Sequence, residues 1–248
     1  MKKKVQNNYV IEVSNLCKKF GAFYANKNLS FDVKRGEIFG FLGANGAGKT
    51  TAMKIISGLQ SPTSGEVHVL DYDVYHEAEK IKKEIGYMSQ KFSLYEDLSV
   101  WENLRFFAGI YGLSRKTIKE KGEKILHHLD LWEHRKELVR DIPLGWKQKL
   151  AFSLATIHDP KIVFLDEPTG GVDPYVRRVF WDQIYQAQAK GITIFVTTHY
   201  MDEAEYCDRI CILSQGEVVA YGAPEKLKKE HQVDSIDQLF VLLARNVE

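Results

Sequence analysis

Gly43-Ala44-Asn45-Gly46-Ala47-Gly48-Lys49-Thr50 sets glycines, a lysine and a hydroxyl at a spacing suited to one chemistry, the binding of phosphate groups. The glycines allow positive φ and let backbone approach a ligand closely. Loop N–H groups can then converge on phosphate oxygens at the positive end of a following helix. Lys49 is placed to neutralise β- and γ-phosphate charge, and the Thr50 hydroxyl to ligate Mg²⁺. Thr51 is counted with the loop as a nucleotide-binding position. A second constellation complements it. In Lys161-Ile162-Val163-Phe164-Leu165-Asp166-Glu167 an apolar run ends in two acids. Asp166 can hold Mg²⁺, directly or through water, and Glu167 can polarise a water aimed at the γ-phosphate. Alone, two acids after a strand read as the start of a surface loop; beside the phosphate loop they read as its partner.

These groups need elements to position them. Glu37-Ile38-Phe39-Gly40-Phe41-Leu42 reads as a strand feeding the glycine-rich loop. A helix follows, with Ala52, Ile55, Ile56 and Leu59 on one face and Gly58 near its end. Upstream, Tyr9 to Val13 and Leu29 to Val33 are short, partly alternating runs, so residues 9–42 are β-rich. Val67 to Leu70 and Ile85 to Ser89 read as further strands. The texture then changes. Ser99-Val100-Trp101-Glu102 fits a capping box, with Trp101, Leu104, Ala108 and Tyr111 following at helical spacing. A second helix is expected from about Lys116 to Leu129 and a third from near Pro143. Residues 91–155 thus form a helical insertion in an α/β domain. From 161 the α/β pattern resumes, with strands at 162–165, 192–197 and 210–213. Asp173-Pro174 supplies an N-cap and a first-turn proline, and Ser235 with Gln238 caps a terminal helix.

The 248 residues carry 44% hydrophobic and 27% charged side chains and a formal net charge of +1, an ordinary globular mix with no global field for nucleic acid. Apolar runs are too short to span a membrane. Met1-Lys2-Lys3-Lys4 reads as a solvated tail rather than a signal peptide. Cys17, Cys207 and Cys211 fit a reducing compartment, and Cys207 and Cys211, four apart, read as buried thiols rather than metal ligands.

With these motifs in place the sequence resembles the ABC transporter ATPase family over nearly its whole length. Phe20, in Lys18-Lys19-Phe20-Gly21, sits where that family stacks an aromatic on adenine. Gln90, in Tyr87-Met88-Ser89-Gln90, sits where the family's glutamine couples Mg²⁺ and water to a membrane partner. Gly170-Gly171-Val172-Asp173 follows Glu167-Pro168-Thr169 as the dimer-contact loop does. His199 occupies the position of the switch histidine that contacts γ-phosphate. Taken singly, Phe20 reads as a core aromatic, Gln90 as a surface amide and His199 as a helix-cap histidine. The resemblance implies an α/β P-loop NTPase (RecA-like) core with an antiparallel β subdomain and the helical insertion. In it, residues 1–90 and 156–225 form the core with the β subdomain, 91–155 the helical subdomain and 226–248 a C-terminal helical extension. It implies ATP and Mg²⁺ as cofactors, with Lys49, Gln90, Glu167 and His199 in catalysis, Thr50, Gln90 and Asp166 at the metal, and residues 43–51 with Phe20 and Gln90 on the nucleotide.

One family element departs. The signature, usually Leu-Ser-Gly-Gly-Gln at a helix start, contacts γ-phosphate across a dimer. Here it corresponds to Ile142-Pro143-Leu144-Gly145-Trp146, followed by Lys147-Gln148-Lys149-Leu150. Pro143 has neither hydroxyl nor N–H. Gly145 and the helix dipole remain, so Gly145 is expected to reach the nucleotide across the dimer.

The stretches Tyr95 to Leu104 and Thr198 to Glu205 look most like multidrug-type export ATPases whose permeases are separate chains. The function so implied is an ATP-hydrolysing subunit that powers a membrane exporter by dimer closure. Its partners would be a second ATPase subunit and an integral-membrane permease, with no nucleic acid, and its place the cytoplasmic face of the membrane. The alternatives are a soluble ABC ATPase acting on ribosomes or DNA, and a nucleotide-binding module without turnover. The apolar residues Phe92, Tyr95, Leu98 and Trp101, close after Gln90, are expected to form a groove for a permease helix or to pack the insertion onto the core.

Overall fold

The computed structural model describes residues 8–90 and 94–245. Two long strands open the chain, β1 (Tyr9–Phe20) and β2 (Phe23–Lys34), joined by the tight turn at Gly21-Ala22. β3 (Ile38–Gly43) is buried at every position and runs into the glycine loop. α1 (Lys49–Ile56) buries Ala52, Met53, Ile55 and Ile56; Gly58 follows at φ +71, and Leu59, expected on the same face, lies beyond the helix end and is 53% exposed. Then come β4 (Ser64–Val69), the short β5 (Tyr72–Asp73), α2 (Ala78–Glu84) and β6 (Ile85–Met88).

Three helices occupy the middle of the chain: α3 (Val100–Ile110), α4 (Arg115–His128) and α5 (Leu144–Thr156). The Ser99–Glu102 capping box of α3 is formed in both directions, a device worth about 1 kcal/mol. Pro143 is the N-cap of α5, not its first helical residue, so its missing N–H removes no intrahelical bond. β7 (Ile162–Asp166), α6 (Pro174–Ala189), β8 (Thr193–Thr198), β9 (Arg209–Ser214), β10 (Glu217–Gly222), α7 (Pro224–His231) and α8 (Ile236–Arg245) complete the described chain. Asp173 caps α6 through Oδ1, which accepts from the N–H groups of Tyr175 and Val176.

The strands divide between a four-stranded antiparallel sheet, β2-β1-β4-β5, and a six-stranded sheet, β10-β9-β3-β8-β7-β6. In the latter all strands but β10 are parallel. Parallel central strands are covered on both faces, which is why β3, β7 and β8 read as unbroken apolar runs. One buried cluster joins the antiparallel sheet to α1 and one face of the larger sheet. A second lies between the opposite face and α5, α6 and α8. A third draws its buried side chains only from Val100 to Ile157.

Three elements escaped the sequence reading, β5, α2 and β10, and α7 starts ahead of the helical extension read there. β10 is an edge strand, half buried along most of its length, so it lacks a strong alternation; the Gln215-Gly216 turn was its one signal. α2 has seven residues and buries only Ile81. α7 begins with Pro224 at its first turn, a start signal two residues before the helical extension read from the sequence. Cys207 and Cys211 are buried as expected, and burial pushes both thiols above their ordinary range. Among the described residues no group of three or more His, Cys, Asp or Glu is placed to hold a metal. The lysine-rich start of the chain lies outside the described residues.

Candidate functional site

The glycine loop leaves the end of β3, the strand flanked by β9 and β8 in the middle of the parallel run. Gly48 stands at φ +98, and a Cβ there would lie 2.3 Å from the Ala25 carbonyl oxygen and 2.6 Å from Asn26 Nδ2. Glycine is therefore required by both conformation and space. The fully buried Asn26 clamps the loop from behind, donating from Nδ2 to the Gly48 carbonyl at 3.1 Å. Lys49 is buried, with Nζ donating to the carbonyls of Gly43 (2.8 Å) and Ala44 (3.1 Å) and lying 3.2 Å from Glu167 Oε1.

β7 and β8 deliver the acids. Their register sets Asp166 beside Thr197. The Thr197 hydroxyl donates to Asp166 Oδ1 at 2.8 Å and accepts from the Glu167 N–H at 3.0 Å. Thr50, at the start of α1, donates to the same Asp166 oxygen at 3.2 Å. Glu167 holds φ +47, a left-handed conformation rare for a non-glycine residue. It persists because its N–H is bound to Thr197 and its carbonyl accepts from Gly170. Its carboxylate is the hub of the site. Oε2 accepts from Gln90 Nε2 at 3.0 Å, and His199 Nδ1 lies 3.1 Å from the same atom. A carboxylate only accepts, so Nδ1 carries the proton of that contact.

Gln90, Lys49, Thr50, Asp166, Glu167 and His199 thus meet within hydrogen-bonding distances, although they come from four separate stretches of chain. Beside them opens a cavity of about 480 Å³. It is lined by Asn45, Gly46, Gly48, Lys49, Thr50 and Thr51 with Gln90 and Glu167, together with Phe20, Phe23 and Ala25. Phe20, which alone reads as a core aromatic, is 49% exposed. Phe23 pairs with it across the β1–β2 turn and is 64% exposed, a second aromatic wall that the sequence reading missed. Its signal was its place two residues beyond Gly21, since residues facing each other across a two-residue turn share a face. Asn26, Thr197 and Thr169 were also missed; each is an ordinary polar residue until its partner is known.

Gly145 is not among the residues lining this cavity. It lies at the start of α5, where an added Cβ would meet Val176 of α6 at 3.2 Å. Trp146 beside it packs against His134, with ring centroids 4.8 Å apart.

Two oxygen donors, the Thr50 hydroxyl and the Asp166 carboxylate, sit together at the edge of the phosphate loop, a hard-donor pair suited to Mg²⁺. Burial pushes the Asp166 carboxyl above its ordinary range, and the neighbouring Glu167 charge adds to this, against the bonds from Thr197 and Thr50. A divalent cation would offset that crowding of negative charge, so the residues fit the ion.

A phosphate loop at the end of a central parallel strand, with an acid pair on a nearby strand, defines a P-loop nucleotide-binding protein. Comparison with known proteins makes this specific. The profile of the family described as ABC transporter matches residues 26–170, and the chain belongs to that family. It is 47% identical over 239 residues to the probable multidrug ABC transporter ATP-binding protein YbhF of Escherichia coli K12, matching over 94% of this chain and 41% of that one. The chain therefore spans about two fifths of the length of that relative. It is 37% identical over 233 residues to the linearmycin resistance ATP-binding protein LnrL of Bacillus subtilis 168, covering 94% and 75% of the two chains. Among solved structures it superposes on an ATP-binding subunit of an ABC transporter with a TM-score of 0.84 and 30% identity, over 94% of this chain and 99% of that one.

Proposed function

We propose that this chain binds and hydrolyses ATP as the energy-coupling subunit of a membrane exporter, seated on the cytoplasmic face through a separate permease. The observation that carries the reading is the convergence of Lys49, Gln90 and His199 on Glu167. A nucleotide-binding module without turnover would need no such oriented carboxylate. The names of the relatives, multidrug transport and linearmycin resistance, support export as the task. Among the described residues no helix is long and apolar enough to cross a membrane.

In this reading the loop N–H groups and Lys49 hold the β- and γ-phosphates. Thr50 and Asp166 would hold Mg²⁺, which would supply charge neutralisation. Glu167 receives the proton of the attacking water, with His199 and Gln90 fixing its direction. Lys49 spends one contact on Glu167 in this structure; an arriving phosphate competes for that lysine and so releases the carboxylate for its water. That Gly145 does not line the cavity of its own chain fits a contact made across a dimer. Phe20→Ala is expected to weaken ATP binding by roughly 1–3 kcal/mol, about 5- to 150-fold, the value of one base–aromatic stack. Titration of ATP measures it, and tripolyphosphate affinity should not change.

In the same proposal the permease docks at the start of the helical region, where burial bears on which side chains are free to face it. Trp101 is half buried, edge-on to Trp132 with centroids 6.3 Å apart, and holds α3 against α4. Leu98 is half buried as well, and Phe92 lies outside the described residues. Tyr95 remains exposed and packs edge-on against Phe106, with centroids 4.9 Å apart; Ile110 is 62% exposed on the same helix as Phe106. Tyr95, Phe106 and Ile110 are therefore proposed to receive an apolar permease segment. Single cysteines at these positions should crosslink to a multi-spanning membrane protein in the intact complex. Capture only from other faces, or no multi-spanning protein in the intact complex, would overturn the assignment.

A further inference from the structure

One buried carboxylate outside the nucleotide motifs ties together the loops that bear them. Glu203 lies in the 3₁₀ turn Met201–Tyr206, four residues after His199, and is fully buried. Its Oε1 accepts from the Thr169 hydroxyl at 2.6 Å and lies 3.5 Å from Trp181 Nε1. Arg177 Nε stands 3.7 Å away, an ion pair too long for a hydrogen bond. Arg177 is itself held over the Tyr200 ring and against Asp202. Thr169 comes two residues after Glu167, and the Pro168 carbonyl between them accepts from Gln148 Nε2 of α5 at 2.6 Å. Trp181, Arg177 and Tyr200 therefore fix Glu203, Glu203 fixes Thr169, and α5 fixes Pro168.

A buried carboxylate is a poor device for stability alone, because desolvation offsets most of what its partners return. Oε2 of Glu203 has no hydrogen-bond partner, so the carboxylate is not fully compensated. An apolar side chain would fill the same space at lower cost, without holding Thr169. What Thr169 controls is the turn beginning at Glu167, whose left-handed φ requires outside support. Thr197 restrains the amide side of that turn. The Thr169–Glu203 bond restrains the other side and spans the two loops that carry Glu167 and His199.

We propose that Glu203 is a positioning residue for ATP hydrolysis, which through Thr169 holds the turn that aims Glu167 at His199. The proposal rests on the reading of Glu167 as the group that activates water. It assigns to Thr169 and Glu203 an effect on turnover and none on nucleotide affinity, since neither lines the cavity.

Thr169→Val keeps the shape and removes the hydroxyl; Thr169→Ser restores it. In the full chain, with its permease where turnover requires it, Thr169→Val should lower kcat by about tenfold to a hundredfold, the scale of a misplaced reacting group. ATP affinity should remain unchanged, and Thr169→Ser should recover the rate. Glu203→Gln keeps an acceptor and should retain more activity than Glu203→Leu. The double variant Glu203→Leu with Thr169→Val should be no slower than the slower single variant, because both break one bond. Parental kcat in Thr169→Val would overturn the proposal, as would a rate loss that Thr169→Ser does not recover or that comes with lost ATP affinity. Glu167→Gln separates the two layers. If it hydrolyses ATP at the parental rate, the reading of Glu167 fails. If it is inactive while Thr169→Val is not impaired, only the positioning role fails.

Discussion

Glu167→Gln is expected to bind ATP with near-parental affinity and to hydrolyse it at least about a hundredfold more slowly, the contribution of a positioned general base. The substitution preserves size, and an amide oxygen can still accept from His199 Nδ1 or Gln90 Nε2. The hub should therefore keep its shape while losing the group that takes a proton. Glutamine also lacks charge, so Lys49 loses its competitor and is free for phosphate. ATP affinity should hold or rise. Slow turnover combined with intact binding should accumulate an ATP-bound dimer, visible by light scattering as ATP is titrated. In that background Gly145→Asp should prevent dimerisation by setting a carboxylate against phosphate. Gly145→Ala is the control, because its Cβ meets Val176 and tests crowding without charge. Phosphate release from Glu167→Gln within a few-fold of the parent would remove Glu167 from the mechanism.

Lys49→Ala should have two effects that separate cleanly. The first is on the ligand. A bond to a charged group contributes roughly 1.5–3 kcal/mol, so losing contacts to two phosphates should weaken ATP binding by at least about a hundredfold. The second is on the protein without ligand. Glu167 is 7% exposed and Lys49 is its ion-pair partner, so alanine leaves a buried carboxylate held only by Gln90 and His199. Stability should fall by about 1–3 kcal/mol, the penalty for an undersatisfied buried group. The double variant Lys49→Ala with Glu167→Gln should recover melting temperature without recovering ATP binding. Calorimetric titration and thermal denaturation read the two quantities independently; coincident recovery of both would show that Lys49 acts on the nucleotide only through Glu167.

The departures from the sequence reading share a cause. Trp101 was read either as part of a docking groove or as packing the insertion onto the core, because it is apolar and follows Gln90. Whether that face meets a partner or α4 depends on where α4 packs, and the structure puts Trp132 and Gly122 against it. Phe23 was passed over because an aromatic after a turn carries no sign of its direction until the β1–β2 register is known. Glu203 sits inside the stretch Thr198 to Glu205, where nothing local sets it apart from the acids beside it, yet it is fully buried. Its burial follows from the packing of Trp181 and Arg177 from α6, over 20 residues upstream.

The sequence by itself determined the phosphate loop, the strand and helix that frame it, the acid pair and the caps of α3 and α6. Those features depend on contacts within a few residues: a glycine's φ, a helix start, a side chain reaching the next turn. Tertiary structure alone decided that Gln90, 77 residues before Glu167, and His199, 32 residues after it, share one carboxylate oxygen. It also decided that Lys49 spans from the loop to that acid, and that Thr169 and Glu203 close a second tie between the same loops. Such pairings follow from sheet order, in which β3, β8 and β7 lie side by side although β3 precedes β7 by more than a hundred residues. Strand order is fixed by how all the apolar faces are buried at once, and no single stretch of residues carries that information.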